Sequence, residues 1–137
     1  MNGELKAEIL EIFKYGASIP PRKETTIIEV SYMGGYLVYL IFVASSPDVS
    51  LHIQFDNDII DLPSIRNMWE RLSMTINRDF AVVHIYDTTN NKYGVRLSGA
   101  VPFYYFTKNF KIYAKNLTDS TVTVDYFVII EKHKPSQ

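Results

Sequence analysis

The chain has 137 residues, 47% hydrophobic and 14% aromatic, with 14 basic and 15 acidic side chains and a formal net charge of −1. That length supports one domain with a sizeable core, and the charge balance excludes a general attraction to nucleic acid phosphate or anionic lipid, though Lys108, Lys111 and Lys115 are close enough in sequence for a local basic patch. Without cysteine, a disulfide scaffold, a thiolate metal site and a cysteine nucleophile are excluded.

In chain order, residues 4–15 place Leu5, Ile9, Ile12 and Phe13 at i, i+4, i+7 and i+8 among charged residues, which predicts a short amphipathic helix. Gly16 stands where a C-terminal cap belongs, and Pro20-Pro21 stops the helix from resuming. Residues 1–23 therefore read as a helical arm and stiff linker ahead of a β body at 24–131, with a frayed tail at 132–137. An arm this short is marginal alone and needs a surface, either its own sheet or a partner.

The body opens with the Thr-, Ile- and Val-rich segment Glu24–Tyr32, then Gly34-Gly35 permits a turn into Tyr36–Ala44. Near-continuous apolarity predicts that this second strand is buried on both faces. Its nine residues are the longest apolar run, against roughly 20 for a membrane-spanning helix, so a soluble chain is expected. Val49–Asp56 alternates, with Val49, Leu51, Ile53 and Phe55 inward and Ser50, His52, Gln54 and Asp56 outward. Ile65, Met68, Trp69 and Leu72 then repeat at helical spacing, which predicts a helix over Ser64–Met74, capped by Asp61 or Ser64, with Trp69 an anchor of packing. Strand character returns at Phe80–Asp87 and Lys92–Ser98. It closes with Phe110–Lys115 and Thr121–Glu131, where Val122, Val124, Tyr126, Val128 and Ile130 share a face. Together these elements predict a mainly β protein, an antiparallel sandwich or jelly-roll-like body of about seven or eight strands with one inserted helix.

Chemistry is thinly signalled. Asp56-Asn-Asp58 and Asp61 cluster as oxygen ligands do, but Ile60, Asp61 and Asn67 stand at EF-hand positions five, six and twelve, so a polar turn is the better reading. His52, His84 and His133 have no second ligand at metal spacing on one element, and His84 aligns with Phe80, Val82 and Tyr86 as a core-edge residue. No nucleophile elbow, P-loop or dinucleotide-binding glycine pattern occurs. Asn116-Leu117-Thr118 matches a glycosylation acceptor at a hairpin tip. No catalytic residue, cofactor or metal is assigned. Tyr104-Tyr105-Phe106 cannot all face one core, so an exposed ring is expected there.

The closing pattern of Pro102-Phe103, Phe110-Lys111-Ile112 and Lys115-Asn116 before a long alternating strand resembles small β-sandwich and jelly-roll structural proteins of virus particles, those of tailed phages and archaeal viruses. The resemblance covers about the last forty residues. It implies a non-enzymatic assembly role as a capsid, decoration, adaptor or tail component, with protein partners, a homo-oligomer or larger assembly, and location in the virion. Candidate interface residues are then Leu5, Ile9, Ile12 and Phe13 on the arm, and Tyr104 and Tyr105. A carbohydrate-binding sandwich presenting Tyr and Asp/Asn is the alternative.

Overall fold

A computed structural model describes residues 5–31, 34–73, 81–98 and 105–135. Among them, ten antiparallel strands form two sheets with one short helix: β1 (Leu5–Ile19), β2 (Glu24–Ser31), β3 (Gly34–Ala44), β4 (Val49–Phe55), β5 (Asp58–Ser64), α1 (Ile65–Glu70), β6 (Ala81–Asp87), β7 (Lys92–Ser98), β8 (Tyr105–Phe106), β9 (Asn109–Asn116) and β10 (Val122–Pro135). The first sheet has the order β1-β10-β3-β7-β6, with β8 also paired to β3, and the second has the order β2-β9-β4-β5. The pairs nest: β1 with β10, β2 with β9, β3 with β7, and β4 with β5.

The helical arm is not formed. Residues 5–19 are a strand whose register with β10 runs from Leu5 opposite Pro135 to Ile19 opposite Val122. The stripe that fits a helix also fits a strand with apolar residues on both faces, and a dozen-residue helix in isolation lacks the stability to compete with a full ladder. Gly16, expected as a helix cap, instead sits at φ +70° in a bulge between Lys14 and Ala17. Its N–H donates to Asp125 Oδ1 at 2.7 Å, and a side chain would strain that conformation. The far end of β10 continues through Lys132 and His133, paired with both β1 and β3, to Pro135, paired with β1 alone.

One cluster of buried side chains draws on both sheets. Leu40, Phe42, Val124 and Val128 come from the first, and Ile53, Phe110 and Ile112 from the second. Phe106 and Phe110 stack at 4.8 Å between centroids. Strand β3, expected to be buried on both faces, alternates between buried and half-buried positions. Gly35, in β3 at φ +153°, lies so close to β10 that a Cβ there would meet the Glu131 carbonyl. Position 35 therefore requires glycine.

The segment after β4, expected to be a polar turn, is strand β5. Its helix cap is Ser64, whose Oγ accepts from the Asn67 N–H at 3.2 Å; Asp61 lies on the strand. Helix α1 has six residues, shorter than the periodicity suggests. Ile65 and Met68 are buried, whereas Leu72 is exposed and Trp69 is partly exposed while stacking on Tyr86 at 5.0 Å. Arg66 fixes the helix by donating to both Asp48 carboxylate oxygens, at 2.7 and 3.1 Å. The Tyr86 hydroxyl donates to Glu70, and burial first, then that bond, pushes its pKa up to about 12.

Candidate functional site

The outer faces of the two sheets differ in chemistry. On the second sheet, register places Glu24 opposite Lys115 and Glu29 opposite Lys111, with Thr26, Gln54 and Tyr113 between them. Opposite charges directly across strands suit a water-facing surface. On the first sheet the same geometry lines up apolar groups. Phe13, Phe127, Ile41 and Arg96 are consecutive register partners across β1, β10, β3 and β7, and the next rung holds Glu11, Ile129 and Tyr39. Phe127, Ile129, Ile41, Val43 and Tyr39 remain half-buried. At the β1 edge, Ile9, Phe13 and Tyr15 are 57%, 62% and 77% exposed. Single exposed apolar residues are ordinary, whereas a contiguous apolar sheet face marks a contact surface.

Four of the six sequence-assigned interface residues can be placed on this face or away from it. Ile9 and Phe13 project from it, Ile12 turns inward against the core, and Tyr105 is exposed on β8 opposite Tyr36. Leu5 is placed by its backbone, opposite Pro135, and Tyr104 lies outside the described residues. The expected helical stripe is thus divided by strand alternation, which sends successive side chains to opposite faces. Phe127, Ile129 and Ile41 are absent from the sequence assignment. The signal is two unbroken apolar runs, Tyr126–Ile130 for Phe127 and Ile129 and Tyr36–Ala44 for Ile41, each of which exceeds what a one-faced strand needs.

A second constellation escaped the sequence because β5 was read as a turn. His52 Nδ1 lies 2.5 Å from Asp61 Oδ1, and its Nε2 lies 2.8 Å from Ser50 Oγ. Tyr113 stacks on the imidazole at 4.9 Å between centroids, and the Lys111 ammonium lies 5.3 Å from the Tyr113 ring centre. The connectivity is that of a serine–histidine–aspartate chain. Ser50 is only 5% exposed, however, so its hydroxyl is not presented to a substrate. The ring closes a polar network on an otherwise charged sheet face. His52, expected to point freely into solvent, is buried beneath Tyr113, while His84, expected at the core edge, is exposed. A bulge between Val83 and Ile85 rotates His84 out. Its ring rests on Gly94, where a Cβ would come within 2.6 Å of Cε1, and desolvation first, then Arg96, lowers its pKa. His52→Ala is accordingly expected to reduce stability by about 1–3 kcal/mol, through lost packing and an unpaired Ser50 hydroxyl. His84→Ala should stay within about 0.5 kcal/mol. Denaturant midpoints of the two variants will check the order.

The acidic cluster after β4 does not converge as ligands. Asp56, at φ +54°, accepts from the N–H groups of Thr107, Lys108 and Asn109 and from the Thr107 hydroxyl. Burial raises the Asp56 pKa, but these donors outweigh it and leave the carboxyl below its ordinary value of 3.8. A carboxylate depressed in the folded state contributes stability fully above its unfolded pKa and loses it as pH falls through the folded one. The wild-type melting temperature should therefore fall more steeply below about pH 4 than that of Asp56→Asn. Parallel pH profiles for the two proteins would refute this. Beside Asp56 lies a cleft of about 240 Å³ lined by Glu29, Ser31, Gln54 and Lys111; its one ring, Phe110, is buried and offers no sugar platform.

Asn116, whose tripeptide matches a glycosylation acceptor, is fully buried. Its Nδ2 donates to the carbonyl oxygens of Ile19, Pro20 and Ser120, and its Oδ1 accepts from the Thr118 N–H and hydroxyl. The nitrogen that a glycan would occupy is enclosed in this folded structure.

Among the described residues, no helix is long and apolar enough to cross a membrane. The sequence matches no protein-family model and no curated protein.

Proposed function

We propose that this protein is a non-enzymatic assembly protein, a component of a virus particle that acts through protein–protein contact. The observation that carries this reading is the apolar outer face of the first sheet, with Phe13, Phe127 and Ile41 in one rung and Ile129 and Tyr39 in the next. A face of that composition is stabilised by a protein surface laid against it. The strand order lends independent support. Nested pairing of β1/β10, β2/β9, β3/β7 and β4/β5, split between two sheets with a shared core, supports reading the fold as a rolled hairpin of the jelly-roll kind. That architecture suits virus-particle proteins, and it also serves lectins, so the surface rather than the fold decides between them. Light scattering and negative-stain imaging of the purified chain test the reading. Species larger than one chain are expected. A strictly monomeric chain that binds an oligosaccharide array would replace this reading with the carbohydrate one.

A further inference from the structure

We propose that the apolar face of the first sheet is covered by the same face of a second copy, related by a two-fold axis parallel to the strands and passing over β3. This proposal rests on the assembly reading and names the partner. In the order β1-β10-β3-β7-β6 the central strand is β3. A two-fold over it lays β3 against β3, β10 against β7 and β1 against β6, so that each contact occurs twice.

Charge complementarity selects this arrangement. Most acidic groups on the face lie to one side, Glu11 on β1 with Asp125 and Glu131 on β10, whereas Lys92 and Arg96 on β7 and His84 on β6 lie to the other. Of the exceptions, His133 is paired with Glu131 at 2.9 Å, and Asp87 on β6 accepts from the Thr89 and Asn90 N–H groups of its own turn. Phe127 and Arg96 share a rung, on strands either side of β3. The two-fold therefore brings the Arg96 guanidinium of one copy over the Phe127 ring of the other, a cation–π placement. Glu11 then lies one strand and one rung away, within reach of a long side chain. Within one chain Glu11 and Arg96 are three strand spacings apart, about 14 Å, too far to pair. A two-fold perpendicular to the strands would instead lay acid on acid.

The area is sufficient. Five strands at about 4.8 Å spacing and about eight residues at 3.3 Å give roughly 600 Å² of projected face per copy. Two copies bury about 1,200 Å², the lower end for a specific interface.

Sedimentation velocity across a concentration series tests the proposal, using wild type, Ile41→Asp, Glu11→Arg, Arg96→Glu and the Glu11→Arg/Arg96→Glu double variant. Wild type should dimerise reversibly, and Ile41→Asp should be monomeric with its strand circular dichroism retained. Each charge reversal should weaken association by about 10-fold or more, and the double variant should recover most of that loss. Both reversed residues are exposed, so these variants test the contact without depending on the core. Association that survives Ile41→Asp overturns this face as the interface and leaves the assembly reading standing. Association lost in Ile41→Asp but indifferent to the charge reversals overturns the two-fold arrangement. A wild-type chain that remains monomeric at every concentration overturns both the proposal and the assembly reading.

Discussion

Val128→Asp is expected to abolish stable folding, with a loss of more than about 4 kcal/mol, whereas Thr123→Asp on the same strand should cost about 0.5 kcal/mol or less. Val128 is completely buried, and in register it faces Ile12 on β1 and Leu40 on β3, so a carboxylate there has apolar neighbours on both sides and no cation to pair with. Thr123 is exposed, and its hydrogen bonds to Ser45 use its backbone, which the substitution preserves. Urea unfolding of both variants gives the comparison. Equal losses at the two positions would mean that β10 is buried on both faces along its whole length.

Asn116→Ala should be nearly as damaging, at about 3–5 kcal/mol, because the effect is multiple. The amide ties the end of β1, through the Ile19 and Pro20 carbonyls, to the β9–β10 turn, through Ser120 and Thr118. Truncation takes the amide donor from the buried Ile19 carbonyl and the acceptor from the Thr118 N–H, and each buried group left short of a partner costs about 1–3 kcal/mol. Pro20 and Ser120 keep the Lys23 N–H and the Thr118 hydroxyl. Asn116→Asp is the informative companion: it keeps the acceptor and shape but loses the donating NH₂, so its stability should stay close to that of Ala. Recovery of wild-type stability by Asp would show that the donor bonds contribute little.

Much of the β architecture was legible because alternation is a local property. Val122, Val124, Tyr126, Val128 and Ile130 share the buried face that the sequence assigns to them, and Lys92–Ser98 is a strand with the bounds it predicts. Failures arose where the deciding partner is remote. Whether residues 5–19 become helix or strand depends on β10, more than a hundred residues away, which no local period records. β5 was hidden because Asp58, Asp61 and Pro63 are poor strand residues on their own; they are held by pairing with β4 at a sheet edge, where proline is tolerated. The site was only partly visible for the same reason. Ile9, Phe13 and Tyr105 were singled out as contact residues, but the rung that unites Phe13 with Phe127 and Ile41 exists only once three distant strands are in register.

The nesting of first strand with last also sets a timetable for synthesis. Strand β1 leaves the ribosome more than a hundred residues ahead of β10, the strand it pairs with. Until β10 follows, a fifteen-residue segment with apolar side chains among its charges waits without its ladder. The inner pair, β4 with β5, is separated by a two-residue turn and is free to close at once. Order therefore grows outward from β4 and β5, and the nascent segment is most vulnerable to sticking just before β10 emerges.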